Sequence, residues 1–297
     1  MSVPDVGRLV AVAVTAPDDV WALGNALLHW DGATWSTKAL PRGHGVYSAL
    51  SATGPADVWL AGVQPGPMIG RNSRGWSSAV AHYDCRHWTV MPTPNPGTRD
   101  NYLEGIVARG VDDVWAGGYF VNLGKRAREA NSLTMHWNGK AWSVIPSSNP
   151  SGSLDVVWSM GQDDSGVVWA LGHYRGSDHH LHSLVLRWSG GRWTTVPVRG
   201  VSLWSAQAID GPIGGPTWIV GSPNTSSFAI ARCGAAACGM VDGPTGNEGS
   251  AWSVYSPALD DAWAVGVSTD GRATPLVDRW DGSSWASVPF PRTSTVP

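Results

Sequence analysis

The chain has 297 residues and a formal net charge of −3 at pH 7, and charged residues make up only 14% of it. This near-neutral balance argues against a nucleic-acid-binding protein, and no apolar run approaches the ~18 residues of a membrane-spanning helix. The 37 glycines and 21 prolines instead indicate many short strands joined by turns.

A tryptophan followed three residues later by a glycine occurs six times along the chain. The pairs are Trp21/Gly24, Trp59/Gly62, Trp115/Gly118, Trp169/Gly172, Trp218/Gly221 and Trp263/Gly266. Their spacing of 38 to 56 residues is typical of propellers and repeat arrays. Each copy contains an apolar stretch, an acidic turn, a segment such as DDVWALG and a later hairpin, which together predict four strands, A to D.

We therefore predict an all-β protein, a six-bladed β-propeller with four antiparallel strands per blade. Because ring closure hides the sheet edges, we expect a single domain over residues 1–297. The expected blades cover residues 7–42, 46–96, 101–150, 154–200, 201–249 and 250–292.

The hairpin between strands C and D carries aromatic residues five positions apart, which should face each other across a tight turn. The pairs are Trp30/Trp35, Tyr83/Trp88, Trp137/Trp142, Trp188/Trp193 and Trp280/Trp285. In the fifth copy the aligned residues are Cys233 and Cys238. Opposed residues in such a pair have Cα atoms about 4.5 Å apart, a separation that suits a disulfide. We predict that these cysteines form the only disulfide and that Cys85 is a free surface thiol.

Localisation is left open by the sequence. The cysteine pair favours an oxidising, extracellular compartment. Residues 9–16 follow Arg8 like the core of a signal peptide, but they align with strand A of the first copy. We therefore assign them to a strand and predict no signal peptide in this chain.

The stretches HWDGATW, HWNGKAW and RWDGSSW resemble the C–D hairpins of Asp-box propellers (sialidase-like and photosystem-assembly-factor-like) and of six-bladed fucose-binding lectins. The whole repeat is more similar to the DVWAVG and HWDG repeats of uncharacterised actinobacterial proteins. These resemblances imply the propeller fold. The lectins bind fucose through an Arg and a Glu whose places hold VWALG-type segments and His29, His136, Arg187 or Arg279 here, so no sugar site carries over.

Standard catalytic signatures (GxSxG, the P-loop, GxGxxG, HExxH and CxxC) are absent. A site must therefore be sought among residues that depart from the repeat. Trp158, Trp204 and Trp252 begin strand A in copies four to six, where copies one to three have Val10, Ser48 and Glu104.

We expect these residues to form a pocket at the central mouth, with the tryptophans on one wall and Glu104 opposite. The remaining candidates for ligand binding are the neighbouring Tyr47 and Ser48, together with Trp76 from a long B–C loop. The alternative is that the three tryptophans only fill the channel and pack between blades.

Four of the nine histidines, His173, His179, His180 and His182, fall in the B–C loop of the fourth copy. No carboxylate or thiol lies at ligand spacing, so we favour a solvated polar loop over a metal site. We predict no metal and no cofactor.

Three functions remain open. The first is a binding protein that takes a small organic molecule or a glycan on the tryptophans. The second is an acid/base lyase, cyclase or hydrolase, including natural-product tailoring, with Glu104 as the acid or base and Tyr102, Tyr47 or His173 as its partner. The third is a protein-interaction scaffold. We favour binding, because a single acid without an evident partner residue is rarely sufficient for acid/base catalysis. We also expect a monomer without nucleic-acid or membrane partners.

Overall fold

In the computed structural model, the described residues form β-strands and no helices. The structure describes residues 4, 7–43, 45–123, 129–163, 165–199, 203–211, 215, 217–223, 229–243, 249–268 and 274–289. Within these ranges, no helix with the length and apolarity needed to cross a membrane is found. The chain forms two compact units, Met1–Met160 and Gly161–Pro297, which are described separately.

The first unit begins with a four-stranded antiparallel sheet in the order β1-β2-β3-β4. Its strands are β1 (Ala11–Ala16), β2 (Asp19–Leu23), β3 (Leu27–Trp30) and β4 (Trp35–Lys38). The next strands are β5 (Val46–Gly54), β6 (Asp57–Met68), β7 (Arg74–Tyr83), β8 (Trp88–Met91), β9 (Asp100–Gly110), β10 (Asp113–Val121), β11 (Ala130–Trp137) and β12 (Trp142–Val144). These eight strands comprise two antiparallel runs, β5–β8 and β9–β12, joined by one parallel bridge between Trp76 and Asp100.

Strand β13 (Asp155–Gln162) begins at the end of the first unit and belongs to a sheet ordered β13-β14-β15-β16. The second unit contains β14 (Val168–Arg175), β15 (Leu181–Ser189), β16 (Arg192–Thr195), β17 (Val198–Arg199), β18 (Leu203–Asp210), β19 (Thr217–Pro223), β20 (Ala229–Cys233), β21 (Cys238–Val241), β22 (Gly249–Ala258), β23 (Asp261–Ser268), β24 (Pro275–Trp280) and β25 (Trp285–Ser287). Strand β17 adds a parallel edge to β18–β21, and β22–β25 form the last sheet. The all-β prediction is confirmed.

The tryptophans of the Trp-x-x-Gly segments form much of the core. Five of them are at most 3% exposed: Trp21, Trp59, Trp115, Trp169 and Trp218. Trp59 shows why, because its ring centroid lies 6.2 Å from those of both Trp137 and Trp142 in the hairpin of the following repeat. The Trp59 indole therefore fills the space between one sheet and the next within its unit.

An aspartate two residues before each of the first three of these tryptophans binds side chains. Asp57 accepts a hydrogen bond of 2.7 Å from the Trp59 indole and lies 2.7 Å from His82 Nε2, while the His82 ring stacks on Trp59 at 4.1 Å. Burial raises the pKa of Asp57, but hydrogen bonds from His82, Thr53 and Trp59 outweigh it and lower that pKa. Aspartates in such turns commonly bond the backbone, whereas Asp57 bonds the side chains of Trp59 and His82.

The hairpin predictions are confirmed. All five aromatic pairs lie directly opposite each other, as with Trp30 and Trp35 at 5.8 Å between ring centroids. Cys233 and Cys238 form a disulfide with their Cα atoms 4.0 Å apart. Cys85 is exposed and free, and it sits in the turn with a φ of 68° where Gly32 of the first repeat has 88°.

Loss of the disulfide tests how much it stabilises the fifth repeat. Replacing Cys233 and Cys238 together by alanine should lower the free energy of unfolding by about 2 kcal/mol, because the bond closes a short loop. Denaturant unfolding of oxidised protein measures this. The Cys85→Ser variant, which removes a thiol but no cross-link, should match the wild type, and equal stability of all three proteins would contradict the prediction.

Candidate functional site

Strand A is interrupted by a β-bulge at the position where the sequence predicts pocket residues. In the third repeat, Leu103 pairs with Gly118 and Gly105 pairs with Gly117, so Glu104 has no opposite residue. In the second repeat, Ser48 is skipped in the same way between Tyr47 and Ala49. A bulge changes the direction of a side chain and is a common device next to binding sites.

In the second and third repeats, the bulge explains why the Trp-x-x-Gly segment needs a glycine. A Cβ atom at Gly118 would lie 1.9 Å from the carbonyl oxygen of Tyr102, and one at Gly62 would lie 2.0 Å from that of Val46. No side chain fits there, because the bulged strand brings its backbone against the glycine. In these two repeats the glycine therefore accompanies a redirected residue on strand A.

In the second unit the bulge position holds Trp252 in β22 and Gln207 in β18. Trp252 lies between Ala251, which pairs with Gly266, and Ser253, and its side chain is 54% exposed. In β18, Ala206 pairs with Gly221 and Ala208 with Val220, so Gln207 is skipped. The prediction that Trp204 is the equivalent residue is therefore wrong.

Trp204 instead stands at a second irregularity, between Leu203 and Ser205. The longer turn before Trp218 does not shift the strand by three residues, because the register follows the pairing with Gly221. The side chain of Trp204 lies outside the described atoms. Its convergence with Trp158 and Trp252 remains a prediction.

Three aromatic rings of the first unit form a continuous cluster. Tyr102 and Tyr119 pair across β9 and β10 and stack with ring centroids 4.7 Å apart. The Trp158 ring meets Tyr119 edge-on at 5.7 Å. Both Tyr119 and Trp158 pack on the buried side chains of Val121, Ala130 and Val156. The cluster joins Trp158 to Tyr102, two residues before Glu104.

The sequence analysis does not single out Tyr119, although this residue directly follows the repeat glycine Gly118. The corresponding residues of the other repeats are Asn25, Val63, His173, Ser222 and Val267. A comparison of this one position across the repeats selects Tyr119 and His173 as the two side chains with a ring that can titrate.

Strands β5, β9 and β13 approach closely around Glu104. A hydrogen bond from Ser48 reaches the Glu104 carboxyl, so the two bulge residues are in contact. The Ala108 amide donates to Ser51 Oγ at 3.0 Å and joins β9 to β5 a second time. A Cβ on Gly105 would lie 2.5 Å from the Met160 nitrogen, so glycine permits the close packing of β13.

The electrostatics of the cluster favour neutral groups. Burial raises the pKa of Glu104, and the hydrogen bond from Ser48 opposes this only in part. Burial and the nearby Asp100 charge raise the pKa of Tyr102, and burial with the Glu104 charge raises that of Tyr119. Both phenols are therefore protonated at neutral pH and act as hydrogen-bond donors. Tyr47 is 9% exposed, and burial raises its pKa as well.

The remaining candidates lie elsewhere. Trp76 is 38% exposed on β7, where its amide donates to Asp100 Oδ1 at 3.1 Å. His173 lies on β14 of the second unit, and burial followed by the Arg175 charge lowers its pKa to about 4. Beyond it, His182 on β15 lies 2.9 Å from Asp178 in the connecting loop. Across the described ranges, no three His, Cys, Asp or Glu side chains are grouped to hold a metal ion.

A pH series tests the environment of Glu104. Its pKa is raised in the folded state, so the native protein binds more protons there than the unfolded chain does. The stability from this group is full below about pH 4.3 and is lost as the pH rises through the folded pKa. We expect Glu104→Gln to gain stability relative to wild type with increasing pH in urea unfolding, and parallel curves would disprove the assignment.

No protein-family model and no curated protein matches the chain. Solved structures do match. YCF48 bound to D1 peptide has a TM-score of 0.60 at 17% identity over 97% of this chain and 82% of its own. YCF48 from Cyanidioschyzon merolae has a TM-score of 0.58 at 17% identity, covering 97% of this chain and 87% of its own. YjhT has a TM-score of 0.57 at 13% identity, covering 97% of this chain and 99% of its own. These structures are propeller-type folds, and at such identities the likeness shows the fold alone: the chain has an all-β, propeller-type fold.

Proposed function

We propose that this chain is a binding protein that takes a small organic molecule or a glycan at the cluster of Tyr102, Tyr119 and Trp158, beside Glu104. The observation that carries the proposal is the bulge at Glu104, whose half-buried carboxyl group lies near Tyr102 and Tyr119. A glutamate with a raised pKa costs stability at neutral pH, so a function is the simplest reason for its place.

The chemistry of the cluster suits a flat or partly apolar ligand. Aromatic rings stack on the apolar face of a sugar or an organic ring. Two protonated phenols supply donors, and Glu104 supplies an acceptor that fixes the orientation of the ligand. Binding sites for small molecules typically combine apolar walls with a few polar groups in this way.

The proposed architecture is a single six-bladed propeller with one four-stranded blade per repeat. In such a ring, Trp204 and Trp252 would belong to the same mouth as Trp158 and extend its aromatic wall. The likeness to propeller-type structures supports this arrangement. A crystal structure with a different blade number would refute it.

An acid/base enzyme is the second candidate, favoured by the raised pKa of Glu104. Its weakness is the partner, because Tyr102 and Tyr119 stay protonated and neither can act as a base at neutral pH. A peptide or protein partner is the third candidate. It is supported by the D1 peptide bound to YCF48, whose fold this chain shares.

A ligand screen tests the proposal directly. Glycans and small cyclic organic compounds are titrated while tryptophan fluorescence and protein NMR spectra are recorded. We expect Trp158→Ala to weaken binding of a hit about 10-fold, the scale of a lost aromatic contact. Glu104→Gln should weaken binding too if the carboxyl orients the ligand.

The matched control is Tyr255→Ala, which removes an aromatic ring that is exposed in the second unit. It should leave the affinity unchanged. Equal affinities of wild type, Trp158→Ala and Glu104→Gln for every hit would refute the proposed site. Turnover of a hit that stops in Glu104→Gln without loss of binding would establish the enzyme instead.

A further inference from the structure

Trp76 lies outside the cluster of three aromatic rings, but the strand pairing attaches its strand to the start of that cluster. Strand β7 meets β9 through one parallel bridge, between Trp76 and Asp100. The Trp76 amide donates to Asp100 Oδ1 at 3.1 Å, and the Asn101 side-chain amide donates to the Trp76 carbonyl oxygen at 3.5 Å. The hairpin of β6 and β7 is therefore fixed beside the first residues of β9.

The register also places these aromatic residues on one face. Paired residues of neighbouring strands project from the same face of a sheet, and so do residues two positions apart on one strand. Trp76 therefore shares a face with Asp100 and Tyr102, and Tyr102 pairs with Tyr119 on β10. Diagonal neighbours on adjacent strands are about 7–8 Å apart, within reach of aromatic side chains. An aromatic row thus runs from Trp76 through the two tyrosines to Trp158.

The aromatic row is longer than a single ligand ring. Neighbouring strands are about 4.8 Å apart, so β7, β9 and β10 alone give the row a length of about 10 Å. Each of its four side chains keeps some exposed surface, and Trp76 at the outer end is 38% exposed. A ligand that uses the whole row must therefore contain several linked rings.

The two ends of the aromatic row differ in charge. The inner end has the half-buried carboxyl group of Glu104. At the outer end, Arg74 lies two positions before Trp76 on β7, on the same face, and is exposed. Residues 64–78 contain a second exposed arginine, Arg71, and no aspartate or glutamate. The outer end therefore favours a ligand group with a negative charge.

The backbone around Trp76 disfavours a peptide that binds by adding a strand. One edge of β7 is taken by the bridge to Asp100, and the other pairs with β6. On β6, Pro65 lies opposite Trp76 and Pro67 follows, and neither has an amide that could donate to an added strand. Recognition here must therefore come from side chains.

We propose that the ligand of this site is an acidic oligosaccharide that lies along the aromatic row, with a uronic-acid unit at Trp76 and Arg74. The inference rests on the proposed function, because it names the ligand class of that same site. Sugar rings stack on the indoles and phenols. The Arg74 guanidinium binds the uronate carboxylate, and Glu104 accepts a hydrogen bond from a sugar hydroxyl at the inner end.

Calorimetric titration with two saccharides of four rings tests this inference. The first is xylotriose that carries a glucuronic acid at its non-reducing end, and the second is neutral xylotetraose. We expect the acidic saccharide to bind at least about 10-fold more tightly, the scale of a charge-assisted hydrogen bond. Arg74→Gln should remove this difference, and Trp76→Ala should weaken binding of the acidic saccharide about 10-fold.

The matched control is Arg86→Gln, which removes an exposed arginine beyond the opposite end of β7. It should bind both saccharides as the wild type does. Equal affinities for the two saccharides, or an unchanged affinity in Trp76→Ala, would overturn the inference. If Trp158→Ala still weakens binding in that case, the proposed function stands without the extension to Trp76. Binding of neither saccharide would also overturn the inference, whereas Trp158-dependent binding of other cyclic compounds would still support the inner site.

Discussion

Replacing Trp59 with alanine should lower the free energy of unfolding by about 3 to 5 kcal/mol, the range measured for removal of a buried aromatic side chain. The side chain has no exposed surface and touches the hairpin of the next repeat. Its loss also removes the donor to Asp57, leaving a carboxylate without one of its partners. Urea unfolding at pH 7 measures the change.

Trp76→Ala is the matched control in the same pair of strands. Trp76 is 38% exposed and fills no core position, so its replacement should cost far less than that of Trp59. Comparable losses in the two variants would show that the recurring tryptophans are not the packing elements of the fold.

The parts of the fold that the sequence predicts well are local. Opposed positions across a tight turn follow from spacing alone, so the pairing of Trp30 with Trp35 and the Cys233–Cys238 bond were predictable. The contact of Asp57 with His82 was not, because it joins residues that are 25 positions apart. Only the register of β6 against β7 brings them together.

For the candidate site, too, the sequence predicts local features but not the contacts between distant strands. Glu104 and Ser48 depart from the repeat at a position that can be aligned on the sequence, so the sequence alone selects both as candidates. Their hydrogen bond follows from the approach of β5 to β9, which no spacing reveals. Trp204 was misplaced because a turn of different length makes counting from Trp218 unreliable, whereas counting from Gly221 through its pairing selects Gln207.

The last prediction links the repeat to the site through Gly118. Gly118→Ala would bring a Cβ atom to 1.9 Å from the Tyr102 carbonyl oxygen and 2.9 Å from the Leu103 Cα. These are backbone atoms and cannot rotate away, so the strands must separate. We expect a loss of about 3 kcal/mol in the free energy of unfolding, at the upper end of the range for overpacking.

Gly110→Ala is the matched control, since the nearest atom to its Cβ would be the Asp112 side chain at 3.7 Å, an ordinary contact. This variant should be as stable as wild type or slightly more stable, because alanine restricts the unfolded chain. Since the Gly118 contact accompanies the bulge that directs Glu104, Gly118→Ala should also alter the NMR titration of the Glu104 carboxyl, while Gly110→Ala leaves it unchanged. A Gly118→Ala protein with wild-type stability and an unaltered Glu104 titration would show that the recurring glycine and the bulge are not coupled.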